Sequence, residues 1–105
     1  MVQKIKVIIK RPDEKYGHVT AISYTLKNLQ NTVDGYIETL TLPGFTIICN
    51  EEGILLGLEE NCKVYGFTFF GTIIAAGVKG DDFDDVGISF EEWKAIIDES
   101  NGGNA

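Results

Sequence analysis

Tyr36-Ile37-Glu38-Thr39-Leu40-Thr41-Leu42, then Pro43-Gly44, then Phe45-Thr46-Ile47-Ile48-Cys49, is the stretch that decides the fold. Its first part is rich in β-branched and aromatic side chains and alternates in polarity, as a strand with one covered face does. Pro43 and Gly44 are turn residues, and the apolar run after them reads as a second strand. Together they predict a β-hairpin.

Upstream, Val2, Ile5, Val7 and Ile9 alternate with Lys4, Lys6 and Lys10, which predicts a strand over 2–9; Ile8 breaks the pattern near its end. Arg11 to His18 contains a proline and a glycine and reads as a polar loop, and 19–23 either continues it or forms a short bridge. Leu26, Leu29, Gln30 and Val33 fall at helical spacing, with Ser23 as the N-cap and Asp34-Gly35 as the stop, which predicts a helix over about 24–33.

Downstream, Asn50 to Gly53 is a turn, Ile54-Leu55-Leu56 either pairs as a third strand or begins an irregular cap, and Glu59-Glu60-Asn61 is another turn. Residues 67–78 are β-prone without clean alternation, which fits a central strand buried on both faces, with Gly71 marking a bulge or a close backbone approach. Residues 79–87 read as an acidic loop. Ser89 with Glu92 three residues on is a capping box, flanked by Ile88 and Trp93 at the staple positions. Phe90, Trp93, Ile96 and Ile97 then give one apolar stripe, hence a helix over about 90–99. The expected architecture is a small α+β domain over residues 1–100, a mostly antiparallel sheet packed against two helices, followed by a flexible tail at 101–105.

The composition narrows the function classes. Sixteen acidic residues stand against nine basic ones, a formal charge of −7, and no basic patch is visible, so nucleic-acid binding is not expected. No apolar run approaches the roughly 20 residues that span a membrane. Met1-Val2-Gln3-Lys4 has charge but no apolar stretch behind it, so the expected location is the cytoplasm, where disulfides are rare. Cys49 reads as a small core residue. His18 is the single histidine, and with two scattered cysteines it does not make a metal site. Asp81-Asp82-Phe83-Asp84-Asp85 lacks the alternating ligands and closing glutamate of a calcium loop. No nucleophile elbow or phosphate loop is present, so neither a catalytic site nor a cofactor is expected. Acid–base work by Glu51-Glu52 or Glu59-Glu60 stays open as a weaker hydrolase reading.

The candidate binding residues are uncommon side chains near strand ends. Arg11 is the only arginine and shares a loop with Tyr16 and His18. A guanidinium pairs with phosphate or carboxylate through two parallel bonds, and a tyrosine ring stacks on a base. Tyr36, Asn50 and Asn61 are polar groups at the edges of apolar elements, although an asparagine at a strand end most often forms a local turn.

Three stretches, taken in order, carry a resemblance: Leu29-Gln30 with Val33-Asp34-Gly35-Tyr36-Ile37-Glu38, then Asn50-Glu51-Glu52-Gly53, then Asn61 ahead of Gly71-Thr72. Over residues 4–97 the chain resembles the domain-of-unknown-function family DUF3846 of phages and Gram-positive bacteria, with Asp34-Gly35 where the family has a glycine pair. The setting resembles that of small phage sponges such as the Sequestin and Lockin families, which sequester nucleotide immune signals. The resemblance implies a nonenzymatic anti-defence protein, working as a homo-oligomer, that binds a small nucleotide such as an ADP-ribose derivative or a cyclic dinucleotide. Arg11 would hold phosphate, Tyr16 or Tyr36 would stack on adenine, and Asn50 and Asn61 would read ribose or base edges. The alternative is a protein-interaction module that inhibits a host defence enzyme or mimics DNA.

Overall fold

The structure, a computed structural model, describes residues 3–102. Val2 and the last three residues of the expected tail lie outside the described residues. In chain order the elements are β1 (Lys4–Lys10), β2 (His18–Ser23), α1 (Leu26–Val33), β3 (Ile37–Leu42), β4 (Phe45–Asn50), β5 (Glu60–Val64), β6 (Phe67–Phe70), β7 (Ile73–Lys79), β8 (Asp82–Asp84) and α2 (Phe90–Ser100).

The hairpin forms as β3 and β4, with Leu42 opposite Phe45 across Pro43-Gly44. Gly44 has φ 88°, the left-handed value that the third residue of a type II turn requires. The hairpin enters an antiparallel sheet in the order β2-β1-β7-β4-β3, and β8 pairs with the distal half of β7. The sheet has two apolar faces, which explains why β4 and the first part of β7 are buried without alternation. On one face Phe45, Ile47 and Cys49 meet Trp93 and Ile97 of α2 and Val64 and Phe69 of the β5–β6 hairpin. On the other face Ile48 and Ile74 meet Leu29 and Val33 of α1. The fold is the expected α+β class, with α1 on one face of the sheet and α2 and the β5–β6 hairpin on the other. Among the described residues no helix is long and apolar enough to cross a membrane.

Six local expectations are corrected or settled. The first helix begins at Leu26 rather than 24, capped by Thr25, whose side chain accepts from the Asn28 N–H; Ser23 is the last residue of β2. Residues 18–23 form a full strand, paired with β1 from Lys4–Ser23 to Ile9–His18. Glu60 and Asn61 open β5, whose Cys62 and Val64 point inward between polar neighbours. The 67–78 run is two strands in different sheets, broken at Gly71. Gly71 has φ 79°, and a Cβ there would sit 2.7 Å from Leu58 Cδ1, so the chain turns at a residue only glycine fills. The acidic 79–87 segment contains β8, and the Val86 N–H donates to Lys6 O. Ile54–Leu56 is a turn rather than a strand.

The second helix follows its signals closely. The Glu92 N–H donates to Ser89 Oγ and the Ser89 N–H to Glu92 Oε1, each at 3.1 Å, the reciprocal pair of a capping box. Glu91 and Glu92 lie in the first turn, where carboxylates suit the helix dipole. At the other end Asn101 is tied to β5: its amide donates to Lys63 O and its Oδ1 accepts from the Lys63 N–H, both at 2.9 Å.

Candidate ligand-binding site

Lys10 ends β1 at a point where both faces of the sheet are covered, and it is only 2% exposed. The loop of residues 11–17 folds back over it. Gly17 (φ 79°) approaches the Ile9–Lys10 backbone so closely that a Cβ would collide with Ile9 O. The Lys10 ammonium donates to Asn61 Oδ1 at 2.6 Å and to Arg11 O at 3.4 Å. Asn61 in turn donates to Lys10 O and to Gly71 O, both at 2.8 Å. This one amide ties together β1, β5 and the break between β6 and β7. Among the described residues no carboxylate forms an ion pair with Lys10. A buried charge without a counter-charge is costly, and its third N–H has no acceptor here.

Lys10 and Asn61 line a cavity of about 310 Å³ with Glu14, Lys15, Cys62 and Asp98. Burial pushes the Cys62 thiol up, and the nearby charge of Lys10 offsets part of that. Around the rim, the Arg11 N–H donates to Glu14 Oε1 at 2.8 Å, and the Arg11 guanidinium lies 3.6 Å from the same carboxylate. His18 Nδ1 is 3.4 Å from Glu14 Oε2. Tyr16 donates its hydroxyl to Asp98 at 2.7 Å, and its carbonyl accepts from Trp93 Nε1 at 2.7 Å. The ammonium groups of Lys15 and Lys94 stand 5.3 and 5.8 Å from the Tyr16 ring centroid. Lys10, Arg11, Lys15 and Lys94, four of the nine basic residues, thus gather at one corner of an acidic chain.

Glu14 supplies a pH handle. The Arg11 backbone N–H holds its carboxyl below the ordinary 4.5; burial opposes this, and His18 and the Arg11 charge add to it. A depressed folded-state value means the contact stabilises the loop above pH 4.5 and is lost as pH falls through the lower folded value. In a carboxyl carbon NMR titration Glu14 is expected to titrate below 4.5, with the Arg11 amide shifting alongside it; titration at or above 4.5 would remove this role.

Of the candidates, Asn61 touches Lys10 directly, while Arg11, His18 and Tyr16 sit on Glu14 and Asp98, which line the same cavity. Tyr36 and Asn50 do not line it. Asn50 is buried on β4, donating to Val33 O at 3.1 Å and accepting from the Glu52 N–H at 2.7 Å. It closes the C-terminus of α1 onto the following turn, the local role its position favours. Tyr36 is exposed beside Gln30, Asn31 and Asp34. Lys10 itself does not stand out in the sequence, because in an alternating strand a lysine reads as an outward spacer. The signal was Ile8-Ile9 just before it, which breaks the alternation where both faces become buried.

A second and larger concavity, about 660 Å³, runs between the start of β3, the turn after β4, and β6. Glu38, Glu51 and Glu52 contribute carboxylates to it, and no lysine or arginine lines it. Cys49 is among its lining residues; burial, and then the Glu38 charge, push its thiol up to about 11.

No curated protein and no solved structure matches the chain. A family model, Domain of unknown function (DUF3846), matches residues 5–96, which takes in all of β1 but Lys4, most of α2, and the residues lining the Lys10 cavity except Ile97, Asp98 and Asn101. The chain belongs to the DUF3846 family.

Proposed function

We propose that this chain is a nonenzymatic binding protein that sequesters a small phosphate-bearing nucleotide, in the anti-defence role its resemblance to phage sponges implies. The observation that carries the reading is the Lys10 ammonium, buried with no ion pair among the described residues, in a cavity that Lys15 also lines, with Arg11 and Lys94 on the adjoining Glu14 and Tyr16. An anionic group supplies the missing counter-charge and accepts the free N–H, and charge-assisted bonds of this kind are the strong ones. Asn61 is fixed by three hydrogen bonds and presents a rigid edge beside it. The acids of the corner, Glu14 and Asp98, already hold the Arg11 N–H and the Tyr16 hydroxyl, which suits binding better than proton transfer. The cavity is at the small end of the range for such ligands, and a second copy closing over it would complete the enclosure.

Calorimetry with ADP-ribose, a cyclic ADP-ribose derivative and cyclic dinucleotides tests the reading. At least one is expected to bind, with affinity falling as salt rises because the contact is to phosphate. Absence of heat across the panel, with inorganic phosphate also silent, would rule it out.

A further inference from the structure

The β3 groove is remote in character from the Lys10 corner and stands on separate observations. β3 is the last strand of its sheet, with β4 as its one neighbour among the described residues. Counting back from the two-residue turn, Leu42, Leu40 and Glu38 direct their backbone groups at β4, so Thr41 and Thr39 turn theirs outward. Such an edge invites a further strand unless charge, proline or a covering segment blocks it. β3 has no lysine and no proline within it, and its one charge, Glu38, lines the groove. Beside the edge lies the groove, with Leu55 84% exposed and Phe67 51% exposed at its rim. Large apolar side chains gathered beside an open edge mark an interaction surface rather than ordinary surface.

We infer that this groove takes an extended peptide segment of a partner protein, carrying basic residues next to apolar ones and adding to β3 as a further strand. The backbone of Thr39 and Thr41 supplies the hydrogen bonds, Leu40 and Phe67 take an apolar side chain, and Glu38, Glu51 and Glu52 select for lysine or arginine. The charge also decides against a second copy of this chain. Two such grooves face to face would bring six carboxylates together, from chains of formal charge −7 each.

The test is fluorescence anisotropy of the full chain with a labelled, end-capped peptide of alternating threonine and isoleucine flanked by lysines. The comparison peptides are one with glutamate in place of lysine and one with alternate backbone amides methylated. The lysine peptide is expected to bind, and both comparison peptides to bind at least about tenfold more weakly. In the protein, Thr39→Pro removes an outward N–H without touching the bonds to β4, and Glu38→Lys reverses a lining charge; each is expected to lower affinity at least about tenfold with an unchanged melting curve. If Thr39→Pro unfolds the chain, Glu38→Lys decides. No binding up to about 1 mM peptide, or equal binding of the glutamate peptide, overturns the inference. So does a sedimenting dimer that Leu55→Glu dissociates, since a second copy would then fill the groove.

Discussion

Trp93→Ala is expected to cost about 4–5 kcal/mol of stability, the upper range for deleting a large buried side chain. Trp93 is fully buried, sits at the fourth position of α2 and meets Phe45 edge-to-face at 5.8 Å. It also holds the 11–17 loop through the bond from Nε1 to Tyr16 O. The substitution thus opens a cavity between α2 and the sheet and releases the loop that covers Lys10. Since a domain of this size has roughly 5–15 kcal/mol in all, a large loss of urea midpoint at unchanged slope should follow. Trp93→Phe keeps most of the volume and loses the hydrogen bond, so it is expected to cost about 1–2 kcal/mol. Equal losses for the two variants would remove the hydrogen bond from the account.

Asn61→Ala is expected to cost about 2–4 kcal/mol, well above the figure for an ordinary partly exposed asparagine. Three hydrogen bonds go at once, and the buried Lys10 ammonium keeps only the long contact to Arg11 O. The stranded charge is the larger part of the cost. The double variant Asn61→Ala with Lys10→Met is therefore expected to recover part of the stability, a coupling that additive effects would not give. Urea melts of the four proteins in this cycle measure it, and strict additivity would show that Lys10 does not depend on Asn61.

Much of the frame was legible because local signals and tertiary packing agree. The Pro43-Gly44 hairpin and the Ser89–Glu92 capping box each specify their element within a few residues, and the sheet and helices confirm them. The errors arise where local signals compete. Residues 67–78 read as one strand because apolar content hides the direction change at Gly71, which a positive φ enforces. Glu60-Asn61 read as a turn because β5 is short and its outward face is charged. At the site, Arg11, Tyr16, His18 and Asn61 stand out by rarity and position, and the return of the 11–17 loop over β1 sets the first three beside the cavity that Asn61 lines. Asn50 is drawn into local hydrogen bonds, and the burial of Lys10 is not legible because it comes from β5, 51 residues on, and from the way the next loop folds back.

The proposed anion-binding role rests on Lys10, buried with no ion pair among the described residues. Lys10→Met keeps the alkyl stem and removes the charge; relief of the buried charge offsets the loss of the donor to Asn61 Oδ1, so its urea midpoint should stay close to the parent's. The decisive measurement is calorimetric titration of the parent and Lys10→Met proteins with ADP-ribose and cyclic dinucleotides. Binding by the parent, with at least about tenfold loss in the folded variant, is the predicted result. Equal affinity in the two proteins would contradict it.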